Sequence, residues 1–338
     1  MNRRRCCIPS VVPLPVLVLV ALGLALGGAV VPQAWAQPAD KWPARAIRIL
    51  IGYAPGTSID INGRFLAQRL SEEYGQPVVV DNRPGATGAI AAEAVAKAAP
   101  DGYTLLAGPG SGIVATPWLQ KVQFDPLRDF APVALIGEFS FLMVAHPSLP
   151  VKTARDVLAL ARKRPGEIAY GSNGVGSAFH LAGVLFGAMG NVDILHVPYR
   201  GGGNAALVDL TGGRIHLMWN SPVFLLPHVK SGRMRAIAVT GPKRVPAMPD
   251  VLTIAESGLP GYSMTGWQGV VAPANTPREV VTRLNGSIGK VLGSTEGRDA
   301  WTGQGMEPTV LSPEQFGAMM RADFEAYGKL IKRIAKEI

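Results

Sequence analysis

Short apolar runs alternate along the chain with longer stretches in which apolar residues return every three or four positions. Ile47-Arg48-Ile49-Leu50-Ile51 is β-branched and breaks at Pro55-Gly56. Ile61, Phe65, Leu66 and Leu70 then recur at helical spacing until Gly75. The unit repeats with a strand at 78–80, an Ala-rich helix at 89–98 and a strand at 103–107. Further strands are predicted at 141–144, 168–171, 194–197, 215–219, 235–240 and 269–272. Thr153 with Asp156, Thr276 with Pro277, and Ser312 with Pro313 mark helix starts. This alternation predicts an α/β fold of doubly wound, mainly parallel sheets with helices on both faces. No long linker divides the chain. Two lobes joined by extended crossovers near 139–146 and 266–273 reconcile its length with one continuous pattern.

The first residues follow another pattern. Arg3, Arg4 and Arg5 precede an apolar run from Val11 to Val31, then Ala34-Trp35-Ala36. That order predicts an export signal, residues 1–36, removed after Ala36; an uncleaved anchor helix is the alternative. Both cysteines, Cys6 and Cys7, lie in it, so no disulfide framework or cysteine metal site is expected beyond it. Charged residues make up only 17% of the 338 and hydrophobic ones 48%, which excludes a wholly disordered chain. Without the three signal arginines the formal charge falls from +9 to +6, and that remainder is spread out, without the basic and aromatic runs that track nucleic acid.

Common catalytic signatures are missing. Ser111 has glycines as direct neighbours and Ser177 has Val175 two before it, so neither fits an esterase elbow. The five histidines are scattered, with no pair at the spacing that grips a metal from one helix face. Counting a dinucleotide loop from Gly174 puts Phe179 where its third glycine belongs. No Walker lysine is present. No catalytic residue, metal site or cofactor is expected.

Three turns combine glycine with polar donors: Tyr53–Asp60, Gly171–Ser177 and Pro198–Asn204. Each lies between a strand and a helix, where unpaired N–H groups suit an anion. Each also fits an ordinary connection, with Ser58, Ser177 and Asn204 as caps and Asp60 as an internal partner.

These segments resemble the substrate-binding proteins of tripartite tricarboxylate transporters, the Bug family. The likeness covers Trp42-Pro43; Pro55-Gly56 with Asp60 and Arg64; Asn82 to Ala86 with Gly88; and Ala99 to Leu106. It continues through His146-Pro147; Tyr170 to Gly174 with Gly176, Ser177, His180 and Leu181; and Val197 to Gly201. It ends with Ala236 to Thr240, Ala272-Pro273 and Thr276-Pro277. The resemblance implies a two-lobed type II periplasmic-binding-protein fold, with lobe one at 37–138 plus 262–338 and lobe two at 139–261. It implies a monomer in the periplasm that captures a small carboxylate without catalysis, by lobe closure, and delivers it to membrane permease subunits. A solute sensor and an exported hydrolase are the alternatives. Carried over by position, the ligand contacts are Ala54, Gly56, Thr57 and Asp60, with Ser111, from lobe one. Lobe two contributes Ser172, Asn173, Gly176, Ser177, Tyr199, Gly201 and Asn220. Two positions depart from the family: Thr57 stands for a second glycine, and Asn220 for a common aspartate. The neutral amide points away from amino acids and toward simple carboxylates.

Overall fold

Strand β1 (Ile47–Ile51) shows why both faces of the first sheet are covered. Ile47, Ile49 and Ile51 point into one core cluster and Leu50 into another, as the two-residue period of a strand requires. The computed structural model describes residues 42–199, 202–245 and 248–334; the expected signal segment and Gly201 lie outside the described residues. β1 pairs in parallel with β2 (Val78–Asn82) and β3 (Thr104–Pro109). Beyond β3 come β10 (Thr265–Pro273) and, at the edge, β4 (Phe130–Ser140). The second sheet has the order β7 (Leu195–Pro198), β6 (Ala169–Ser172), β8 (Leu217–Asn220), β5 (Leu142–Ala145), β9 (Arg235–Val239).

The parallel expectation holds for all but one strand per sheet. β10 is antiparallel to β3 and β4, and β5 to β8 and β9. Each reversed strand has just arrived from the other sheet. The chain leaves the first sheet at Ser140 and enters the second at Leu142. It returns between Val239 and Thr265, upstream of the stretch 266–273, which lies wholly inside β10. One core cluster runs through this junction: Phe141, Met143, Trp219, Tyr262 and Trp267 belong with Leu106 and Phe316.

β4 has no counterpart among the predicted strands. Pro132 and Gly137 interrupt its pattern, but β4 lies at the sheet edge, where proline's missing N–H leaves no ladder bond broken.

Helices follow the strands. α1 (Ser58–Tyr74) ends at Gly75 in the left-handed conformation; α2 (Ala89–Ala96) and α3 (Thr116–Leu119) complete the first run. α4 (Ala154–Lys163) opens with the expected capping box, Thr153 and Asp156 satisfying each other's backbone N–H. α5 (Ala178–Gly190), α6 (Gly202–Thr211) and α7 (Pro222–Lys230) each follow a parallel strand of the second sheet. α8 (Ile254–Ser257) precedes the return. α9 (Arg278–Gly293), α10 (Thr295–Gly303) and α11 (Pro313–Ile334) complete the chain. At α9 the cap is Pro277, and Thr276 instead donates its hydroxyl to Pro273 O.

Candidate functional site: two facing sets of loops

In the first lobe, the loop from β1 to α1 is held from beneath. Gly52 approaches Gly88 so closely that a β-carbon would lie 2.4 Å from Gly88 Cα. Asn82, at the end of β2, donates to Tyr53 O at 3.1 Å and to Asp60 Oδ1 at 2.8 Å. Asp60 also receives Gly56 N–H at 2.9 Å and the guanidinium of Arg64 at 3.0 Å. Burial pushes the Asp60 pKa up, but hydrogen bonds from Arg64, Gly56 and Asn82 outweigh it and hold the carboxyl below its usual range. Its charge is spent inside the loop.

Thr57 turns inward as well, donating its hydroxyl to Ala54 O at 2.8 Å. It is the N-cap of α1 but makes no side-chain cap bond. The N–H groups of Ser58 and Ile59 therefore find no acceptor among the described residues, and they point beyond the helix start. Ser111 opens a π turn, Ser111–Ala115, directly after β3. Its neighbouring glycines allow it to pass between two rings: a β-carbon on Gly110 would meet the Trp267 indole at 2.3 Å, and one on Gly112 the Tyr53 hydroxyl at 2.7 Å.

The second-lobe loop rests on two imidazoles. Ser172 is fully buried; its Oγ lies 2.7 Å from His196 Nε2 and accepts Gly174 N–H at 3.1 Å. Gly176 N–H donates to His180 Nδ1 at 3.1 Å. Burial lowers His180 to about 4, and burial together with the neighbouring His180 lowers His196 to about 3, so both rings are neutral at neutral pH. Ser177 is the N-cap of α5, accepting His180 N–H at 3.2 Å, and its own hydroxyl proton has no acceptor among the described residues.

Tyr199 faces its own lobe. Its hydroxyl donates to Asp209 at 2.7 Å, and burial and then Asp209 push it up to about 12. Gly203 gathers the remaining polar groups. A β-carbon there would lie 2.6 Å from Asn220 Nδ2 and 3.2 Å from Asn173 Oδ1. Asn220 Oδ1 accepts Ser221 N–H at 2.7 Å, while its Nδ2 donates to none of the described residues.

The two sets of loops meet at both ends. A β-carbon on Gly176 would lie 2.5 Å from Leu119 Cδ1, and one on Gly305 would lie 2.8 Å from Val223 Cγ2. Of the expected contacts, Asn173, Gly176, Ser177 and Asn220 belong to the second lobe's loops, and Ala54, Gly56, Thr57 and Ser111 to the first lobe's. Asp60, Ser172 and Tyr199 are occupied by partners in their own lobe. A separate cavity of about 640 Å³ sits beside the crossover, lined by Glu138, Ser140, Lys243, Arg244, Thr265 and Glu307 and by none of the expected contacts. Among the described residues no group of three or more His, Cys, Asp or Glu could hold a metal ion. Sequence motifs missed Asn82, His196 and the amides Asn62, Gln268 and Gln304. For Asn82 two signals were available: it opens one of the segments that carry the family resemblance, and it lies at a strand's carboxyl end.

A two-lobed α/β fold with donor-rich loops between strands and helices suits solute binding. Residues 63–336 match the tripartite tricarboxylate transporter family receptor, and the chain belongs to that family. It is similar to Protein BugT of Bordetella pertussis, at 32% identity over 324 residues, covering 95% of this chain and 98% of BugT. Among solved structures it is similar to Rpa4515 of R. palustris with adipate, at 40% identity and a TM-score of 0.77, covering 86% of this chain and 97% of that one. MatC of Rhodopseudomonas palustris, with bound malate, is 28% identical with a TM-score of 0.75, covering 86% of this chain and all of MatC (100%).

Proposed function

We propose that the protein acts in the periplasm as a monomeric receptor. It captures a small organic carboxylate between lobe one (37–138 plus 262–338) and lobe two (139–261), and the closed form delivers it to permease subunits of a tripartite transporter. The observation that supports this reading is a set of neutral donors that find no acceptor among the described residues. The N–H groups of Ser58 and Ile59 belong to lobe one, and the Ser177 hydroxyl and Asn220 amide to lobe two. Such donors favour an anion without a permanent charge on the site. A ligand that bridges both sides is bound more tightly by the closed state and shifts the equilibrium toward it. The bound adipate of Rpa4515 and malate of MatC support a carboxylate.

Binding without turnover fits the serines present. Ser172 Oγ, beside His196, is fully buried; Ser148 Oγ, beside His146 Nδ1, sits in an exposed turn two residues from that ring; and Ser177 faces a backbone N–H, not a base. The test is calorimetric titration of adipate and malate into the purified protein, paired with assays for their conversion. Saturable binding with no product is expected. Turnover of either acid, or of an ester or amide, would overturn the reading.

A further inference from the structure

Four uncharged side chains beneath the start of α1 form a closed circuit. Ser58 donates its hydroxyl to Gln304 Oε1 at 2.8 Å, and Gln304 Nε2 donates to Asn62 Oδ1. Asn62 Nδ2 donates to Gln268 Oε1 at 2.9 Å, and Gln268 Nε2 returns to Ser58 Oγ at 3.2 Å. Every member both gives and receives, so each bond polarises the next. Asn62 is fully buried and Gln268 nearly so, which makes a broken link costly.

The circuit joins three separate elements. Ser58 and Asn62 belong to the first turns of α1, where the Ser58 N–H finds no acceptor among the described residues. Gln268 is in β10, the strand that has just returned from the second sheet. Gln304 opens the loop after α10, and the next residue, Gly305, makes the close approach to Val223 of α7 across the gap. That loop is fixed at its other end, where Glu138 and Glu307 exchange backbone hydrogen bonds at 3.1 and 2.8 Å. Gly305 and Ser58 are thus tied together through Gln304, with weaker sulfur contacts from Met306 Sδ to Ser58 Oγ at 3.9 Å and to Asn62 Nδ2 at 3.3 Å on the other side of Gly305.

We propose that Gln304 and Gln268 are positioning residues that make the α1 seat and the Gly305–Val223 contact move as one body. Breaking the circuit frees the seat and, through the contact, the start of α7 in the other lobe. The inference rests on the proposed solute reading only in calling the first turn of α1 a seat.

The test is hydrogen–deuterium exchange followed by mass spectrometry on the full chain without ligand, comparing wild type with Gln304→Ala and Ser58→Ala. Both variants are expected to raise exchange roughly threefold or more at residues 56–62 and also at 222–225, while 47–51 stays protected. Ser58→Ala removes only a hydroxyl from an exposed residue, so it tests the circuit even if Gln304→Ala destabilises the fold. Faster exchange at 302–309 or 56–62 with no change at 222–225 would overturn the proposal. A parallel titration with adipate keeps the two readings apart. Failure of wild type to bind it counts against the solute reading, and the ligand-free exchange result stands by itself.

Discussion

His180 and His196 stack with ring centroids 3.9 Å apart beneath the loop that carries Ser172 to Ser177. One ring accepts Gly176 N–H at Nδ1, a bond that protonating His180 would break, and the other lies against Ser172 Oγ. Their pKa values in the fold, about 4 and about 3, lie below the ordinary 6.5. The stability they contribute is complete above 6.5 and is lost as pH falls toward 4. The thermal midpoint should therefore fall across that window. His196→Phe should flatten the fall, and an equal slope in both proteins would show that the pair does not set it.

Ser177 caps α5 and has no acceptor for its own hydroxyl proton among the described residues. Ser177→Ala should cost about 1 kcal/mol of stability through the lost cap. It should weaken carboxylate binding by a further 1–2 kcal/mol or so, as expected for a hydrogen bond to a charged group. Thr57→Ala should change affinity less, because the Thr57 hydroxyl already donates to Ala54 O. Calorimetry on the two variants side by side decides the order.

Asp60 and Asn82 act on one loop. Replacing either leaves buried hydrogen-bonding groups unpaired, at a cost of about 1–3 kcal/mol in denaturant unfolding. Because the two share a hydrogen bond, the double variant Asp60→Asn with Asn82→Ala should lose less than the sum. Additive losses would mean that the two residues act separately.

Gly110 has an ordinary helical backbone, φ −53°, so alanine there is unstrained in itself. Its β-carbon would still lie 2.3 Å from the rigid Trp267 indole. Gly110→Ala should destabilise by about 1–3 kcal/mol through overpacking, read as a lower unfolding midpoint. An unchanged midpoint would place the indole elsewhere.

The run Ile47–Ile51, the stop at Gly75 and the box at Thr153–Asp156 were legible because each depends on residues close in sequence. β4 was not, because its tolerance of Pro132 comes from an edge position set by the whole sheet. The reversed β5 and β10 were hidden for the same reason: direction is decided by where the chain has been. At the site, glycine clusters marked the loops correctly as strand-to-helix turns. Asp60 was legible as an internal partner because Gly56 and Arg64 lie four residues away. The contacts of Asp60 with Asn82, Ser172 with His196 and Tyr199 with Asp209 span 22, 24 and 10 residues and were not readable.

Solute capture is tested most directly by crystals grown with adipate. Density for the acid is expected between the Ser58 and Ile59 amides and the Ser177 and Asn220 side chains, with both lobes touching it. An empty gap with adipate bound elsewhere, or bound to one lobe alone, would contradict capture by closure.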